Sequence, residues 1–335
     1  MPSLWKALAD LQVRIDDYSV QRRELDVSPE FKRVTTTVVL ASDGETGQGE
    51  DVTYTAADHD HFPRPMLAGT WTLHEYARRL DELDLFDHEP AMEASHDYRR
   101  WAFECAALDL ALRQAGISFA DAVGRTYSPV RFVASTRADI EPYRTLDPDL
   151  EFKLDAEESW DDELLERLAG TDRVRVVDFK AYYRGTSVDL EPDPALYRRV
   201  ANSLPEAVLE DASLEGACGE ALAGAHDRLS FDAPIHSWKD VTRLPVEPRW
   251  LNIKPSRFGT VHRLLECIEH CEERGIRMYG GGQFELGPGR LQIQKLASVF
   301  YPDAPNDVAP SEYNNGPARA GLPTSPLPAP EGPGF

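Results

Sequence analysis

The 335 residues predict an α/β fold: a modified (β/α)8-type barrel over residues 126–315, preceded by an α+β domain over residues 1–125 and followed by a tail over 316–335. Three observations predict it. Five short apolar-rich segments, LEFKLD, VRVVDFK, AVLED, LSFDA and WLNIKP, lie between residues 150 and 256, each with a charged residue at or near its end. The stretches between them look helical. The steps from Lys153 to Asp178, Glu210, Asp232 and Lys254 are 25, 32, 22 and 22 residues, against roughly 31 for one unit of an eight-fold barrel of about 250 residues.

Taken in order, residues 1–125 read as strands followed by helices. "LQVRIDDYSV", "RVTTTVVLAS" and "GQGEDVTYTA" are alternating, β-prone segments, and the turn-like "DGETG" makes the last two a hairpin. "TWTLHEYARRLDEL" and "YRRWAFECAALDLALRQAG" have helical periodicity, the second stopping at Gly116. The barrel is expected to begin at "VRFVAS" and to run through "DVAPSEY". Among its helices, "SWDDELLERLAG" opens with a serine cap and an acidic first turn, and Asp193 precedes Pro194 at the first helical position of "DPALYRRVANSL". The tail from about Gly316 is rich in Pro and Gly, and is expected to be flexible or draped.

Strand parity carries the chemistry. Residues two apart on a strand face the same way, so Phe152 and Leu154 oppose Glu151, Lys153 and Asp155, while Leu251 and Ile253 oppose Asn252 and Lys254. In a parallel barrel the apolar row meets the helices, and the charged row looks inward. Asp178, Glu210 and Asp232 then converge at the strand ends where such barrels build active sites, with Lys153 and Lys254 on either side. Three carboxylates left unneutralised repel one another. A hard divalent cation with oxygen ligands resolves this, and Mg²⁺ suits few carboxylates with open positions.

At these residues the chain resembles the enolase superfamily, of the mandelate racemase/muconate lactonizing enzyme type, and within it the muconate-lactonising branch that includes o-succinylbenzoate synthases, N-succinylamino acid racemases and dipeptide epimerases. The resemblance implies a (β/α)7β barrel with an N-terminal capping domain. It implies metal ligands Asp178, Glu210 and Asp232 and catalytic lysines Lys153 and Lys254, the latter in "IKPSRFG". It also implies a substrate-facing strand end in "GGGQFELGPGR", and two capping loops over the mouth near Tyr18–Glu24 and Ala56–Phe62. Asp155, Ser256, Gln283 and Glu285 are the expected substrate contacts. Three positions depart from the branch. The second strand's inward row reads Glu151, Lys153, Asp155 where two lysines separated by one residue are usual; Lys153 is aligned with the second, catalytic lysine, because the other alignment puts Asp155 at the base. Lys180 stands where Asn is usual, and Ala233 where Glu is usual. Lys180 either serves as a further catalytic base or neutralises the carboxylates without metal.

The implied reaction removes a proton next to a substrate carboxylate. The favoured outcome is a lyase of the dehydratase or o-succinylbenzoate synthase kind. The alternatives are a racemase or epimerase of N-acylamino acids or dipeptides, and a metal-free, non-catalytic relative in which Lys180 replaces the cation. The expected partner is a small-molecule carboxylate. A net charge of −22 argues against nucleic-acid and anionic-membrane surfaces, and suits a salt-adapted or acid-biased proteome. Cys105, Cys218, Cys267 and Cys271 are too few and scattered for a disulfide framework. With no signal-like start and no long apolar run, a cytoplasmic protein is expected, with homo-oligomerisation left open. His59 and His61 read as an exposed loop pair. His262, Cys267, His270 and Cys271 read as one packed amphipathic helix rather than a zinc site. The glycine-rich stretch lacks the Lys-Ser/Thr ending of a phosphate loop.

Overall fold

A computed structural model describes residues 3–29, 31–137, 139–184, 190–314 and 317–335. The first part contains helix α1 (Ser3–Ala9), strands β1 (Gln12–Ile15), β2 (Asp17–Ser28), β3 (Phe31–Ser42) and β4 (Glu45–Asp51), a 3-10 turn (Ala56–His59), β5 (Gly69–Thr72), and helices α2 (Leu73–Asp81), α3 (Ala94–Ala115) and α4 (Phe119–Ala122). Strands and helices then alternate: β6 (Val133–Thr136), α5 (Glu141–Leu146), β7 (Glu151–Asp155), α6 (Asp162–Thr171), β8 (Val174–Asp178), α7 (Pro194–Ser203), β9 (Val208–Glu210), α8 (Ala217–Ala221), β10 (Leu229–Phe231), α9 (Trp238–Val241), β11 (Trp250–Ile253), α10 (Val261–Arg274), β12 (Arg277–Gly280) and α11 (Gly289–Phe300).

Strands β6 to β12 form one parallel sheet in chain order. The eighth position is reduced to two parallel bridges, Asn306 to Phe132 of the first unit and Asp307 to Gly281 of the seventh, which join the sheet's two edges. The (β/α)7β architecture with an antiparallel N-terminal sheet is therefore present. Phe152, Leu154, Leu251 and Ile253 are buried in the main apolar cluster, as strand parity requires.

In the N-terminal part, β2, β3 and β4 form an antiparallel sheet, and Asp43 and Gly44 close the β3–β4 hairpin with φ of 52° and 85°. Both values lie in the left-handed region that a tight two-residue hairpin needs. Helix α3 packs on β4 because Gly47 and Gly49 have no side chain there: a Cβ would lie 2.2 Å from Ala106 O and 2.0 Å from Ala102 O. The N-terminal end of α3 meets the turn after β11, where Gly259 leaves room for Asp97.

Four local expectations are corrected. The segment "LQVRIDDYSV" is two strands in different sheets, β1 pairing with β5 and β2 with β3. Tyr18–Glu24 is not a loop but the body of β2, held in register along β3. His59 is buried rather than exposed, with Nδ1 2.9 Å from Thr36 Oγ1 and Nε2 2.9 Å from Thr53 O. Asp161, not Ser159, caps α6, accepting from Leu164 N at 2.8 Å, because it is the residue placed one before the first helical turn. Asn315 and Gly316, where the tail was expected to start, lie outside the described residues. The described tail is draped and anchored: Leu327 pairs with Val130, and the buried Phe335 packs against Phe119 at 4.8 Å.

Candidate active site

The C-terminal strand ends bring Asp178, Glu210 and Asp232 into the barrel mouth, all three buried. Register sets their depth. Asp155 lies opposite Asp178, and Asp178 opposite Glu210, whereas Lys153 lies opposite Val176, one inward step deeper. Lys153 is thus not at the tip of its strand but under the carboxylates. Its Nζ donates to Glu210 Oε1 at 2.6 Å and stands 3.3 Å from Asp178 Oδ2 and 3.5 Å from Asp307 Oδ2.

Glu210 is the most heavily bonded carboxylate. Tyr279 OH donates to its Oε2, and Asn252 Nδ2 approaches both oxygens at 3.2 and 3.3 Å. Asn252 shares the inward row with Lys254. Asp211 joins the site through its backbone: as the next residue on a strand it would face outward, but its φ of 51° turns it back. Its carboxylate accepts from Asp232 N at 2.8 Å and Ala233 N at 3.0 Å. Oxygens of Asp178, Glu210 and Asp211 lie within 4.8 Å of one another.

Asp232 belongs to a second corner. Lys254 Nζ is 2.8 Å from its Oδ2, Tyr183 OH donates to the same oxygen at 2.9 Å, and Arg257 Nη1 is 3.3 Å from Oδ1. Arg257 also donates to Tyr183 OH at 2.8 Å. Ser256 is buried in the 3-10 turn between Lys254 and Arg257. Lys180 folds back on Asp178: its N–H donates to Oδ1 at 3.0 Å, its ammonium binds Oδ2, and Asp155 Oδ1 lies 3.3 Å away. Asp155 is also held by Arg137 at 2.8 Å.

After β12, Gln283 reaches the N-terminal part, accepting from Tyr54 OH at 3.0 Å and donating to Tyr98 OH at 3.3 Å. Glu285 turns away from the lysines; it accepts from Gln283 N at 2.6 Å and pairs with Arg290 at 3.0 Å. The buried Arg33 guanidinium donates to four carbonyls, those of Val52, Thr53, Gln283 and Phe284. Glu50 accepts from the N–H groups of Leu286, Gly287 and Gly289 at the start of α11. These two side chains fasten the glycine-rich loop to the N-terminal sheet.

Six carboxylates (Asp155, Asp178, Glu210, Asp211, Asp232, Asp307) face five cationic side chains (Lys153, Lys180, Lys254, Arg257 and, on Asp155, Arg137). The imbalance shows in the titrations. Burial, with the charges of Asp178 and Asp232, pushes Glu210 up to about 8 against the pull of Lys153. Burial, with Asp232 and Asp178, pushes Asp211 up to about 7. Burial would also raise Asp178 and Asp232, but Lys180 and Lys153 hold the first, and Arg257 and Lys254 the second, well below the carboxylate range. Burial opposes the charge on Lys254, yet the facing Asp232 keeps its ammonium raised above the usual value. A surplus of carboxylates over cations, oxygen donors only, and an Asp232 Oδ1 without a hydrogen-bond donor among the described residues fit a hard divalent cation.

The residues missed from sequence are Asp211, Arg257, Tyr183, Tyr279 and Asp307. Asp211 sits beside Glu210 and Arg257 three residues after Lys254, but nothing in their spacing told that a left-handed residue or a 3-10 turn would aim them inward.

Family models decide the relationship. Residues 126–315 match the C-terminal domain, and residues 6–122 the N-terminal domain, of a family described as "Domain of unknown function (DUF8230)". The chain belongs to the DUF8230 family. This DUF8230 chain is 32% identical over 87 residues to an o-succinylbenzoate synthase of Enterococcus faecalis (strain ATCC 700802 / V583), a match spanning 25% of the chain and 24% of that relative. Muconate lactonizing enzyme from Pseudomonas putida has the same fold at 18% identity, with a TM-score of 0.64 and 88% of both chains covered. A protein described as an unknown member of the enolase superfamily, from Enterococcus faecalis V583, superposes with a TM-score of 0.62 at 18% identity, covering 90% of this chain and 87% of its own. The resemblance to the muconate-lactonising and o-succinylbenzoate synthase branch of the enolase superfamily thus holds for the DUF8230 fold.

Proposed function

We propose that this protein is a Mg²⁺-dependent lyase of the dehydratase or o-succinylbenzoate synthase kind, which removes a proton next to a substrate carboxylate. The observation that carries this reading is the buried set of carboxylates on neighbouring strand ends, with Lys254 at its edge. Asp178 and Glu210, with Asp232 or Asp211, would hold the cation, which when bound supplies electrostatic stabilisation to the substrate carboxylate as enolate charge develops. Lys254 Nζ would take the α-proton as the free amine, which requires that a cation held beside Asp232 offset the carboxylate charge that otherwise keeps this side chain an ammonium. Asp232 and the Pro255–Phe258 turn fix the direction of that amine. As the carbon–oxygen bond breaks, the leaving hydroxide takes the proton back from Lys254 and departs as water. One lysine therefore serves a syn elimination. Glu50 also restricts the substrate class: its carboxylate fills the helix start where barrels commonly hold phosphate, so the reading favours carboxylates without a phosphoryl group.

A specific contact favours a second reading. Lys180 bonds Asp178 directly, as expected if its ammonium permanently replaces the cation in a non-catalytic relative. The test is to incubate N-succinyl amino acids, dipeptides and sugar acids with the protein and Mg²⁺ in D₂O, following the α-proton by NMR. The lyase reading expects consumption of one substrate, with loss of about 10²–10⁴-fold or more in rate for Lys254→Ala. Deuterium entering both enantiomers would make the protein a racemase. Full activity of Lys254→Ala would remove this lysine from the reaction, and inertness toward all probes would favour the second reading.

A further inference from the structure

Lys is scarce in this chain, at seven residues, yet three of the seven (Lys153, Lys180 and Lys254) stand in one barrel mouth. Their access differs. The side chain of Lys153 is 2% exposed and that of Lys254 8%, whereas that of Lys180 is 14% exposed. Lys153 lies beneath the carboxylates and is paired with Glu210, Asp178 and Asp307. Lys180 shares only Asp178 with it, and reaches that residue in a backbone conformation, φ 53°, that a residue with a Cβ adopts only at a cost. This turn delivers both its N–H and its ammonium to Asp178. An ion approaching Asp178 Oδ2 from the mouth therefore meets an ammonium already seated there, and two cations on one oxygen repel. Asp155, level with Asp178 on the neighbouring strand, offers that ammonium a second seat 3.3 Å away.

We infer that Lys180 is a tethered cation of the site: it holds Asp178 until a divalent ion arrives, then moves to Asp155, where it rather than Lys153 is the amine opposite Lys254. The inference rests on the cation-dependent reading proposed above. It joins the departure at Lys180 and the neighbouring strand's Asp155 into one device. Lys153 remains below as a fixed counter-ion.

Mn²⁺ titration by electron paramagnetic resonance on the full chain tests the first half. Removing a charged hydrogen bond that competes for the ligand is expected to tighten Mn²⁺ binding by about tenfold or more in Lys180→Met, with Lys180→Gln as a second variant, while Lys180→Arg stays near wild type. Unchanged or weaker binding in folded Lys180→Met and Lys180→Gln would overturn the tether. Binding by Lys180→Met with none by wild type would uphold the tether but overturn the cation-dependent function, and binding by neither overturns both. Trapping with glyoxylate and cyanoborohydride, read by peptide mapping, tests the second half. The amine condenses with the aldehyde, losing water, and the hydride reduces the imine. Labelling of Lys180 is expected to rise with Mg²⁺ while Lys153 stays unlabelled; labelling of Lys153, or none gained at Lys180, would overturn the assignment.

Discussion

Glu210 and Asp211 show what a single carboxylate does when its neighbours are also acidic. Both are raised in the fold, to about 8 and about 7, chiefly by burial. The unfolded values are about 4.3 and 3.9. A carboxylate raised in the folded state stabilises the fold while it holds its proton, and that contribution is lost as pH rises through the folded value. Without divalent ions, these two groups are therefore expected to lower the melting temperature between about pH 4 and pH 8 and to add nothing further above it. Mg²⁺ competes with the same protons, so its affinity is expected to rise across that interval and to remove the high-pH loss. Thermal melts with and without Mg²⁺ at each pH check both. A pH-independent difference between them would mean that these carboxylates do not hold the ion. Asp178, Glu210 and Asp232 were readable because each ends an alternating apolar segment. Asp211 was not, since its orientation depends on one positive φ that no local residue pattern specifies.

At the scale of elements, the mouth is positioned by how closely α3 approaches β4. The helix carries Tyr98 toward Gln283, and its distance from the sheet is set by two glycines. Gly49→Ala would place a Cβ 2.0 Å from Ala102 O, a backbone atom that cannot rotate away. The expected cost is about 1–3 kcal/mol or more, seen as a lowered melting temperature. Gly170→Ala in α6 is the control: a Cβ there meets nothing within 4 Å. It is expected to stabilise by about 0.5–1 kcal/mol through helix propensity and lost freedom in the unfolded chain. Equal melting temperatures for the two variants would refute the packing argument. Helix α3, its stop at Gly116 and the β3–β4 hairpin were legible because each has a local signal. The split of "LQVRIDDYSV" was not, because β-prone Val13 and Ile15 are followed closely by β-prone Tyr18 and Val20, and only their pairing with β5 and β3 separates the two runs.

For the molecule as a whole, 58 acidic residues against 36 basic ones leave net self-repulsion that favours expansion. Surface ion pairs such as Arg125–Glu272 are themselves screened by salt, but the net charge of −22 leaves a surplus of acids that no basic residue matches. The melting temperature is expected to rise as KCl increases from about 0.1 to 1 M, over which the screening length shortens from about 10 to 3 Å. A falling melting temperature would show that attractive pairs outweigh the surplus.

The sequence alone determined the barrel, its order of strands and the inward row of charges, since an alternation of period two and a regular spacing are local properties. It also determined that Asp178, Glu210, Asp232, Lys153 and Lys254 lie in one mouth. Depth and pairing were decided only by the tertiary structure. Strand register sank Lys153 one step beneath Asp178, left-handed backbones turned Asp211 and Lys180 inward, and the tail was drawn in by Phe335 against Phe119. Each depends on which strand or ring stands opposite, and a residue's neighbours across a sheet are not written in its neighbours along the chain.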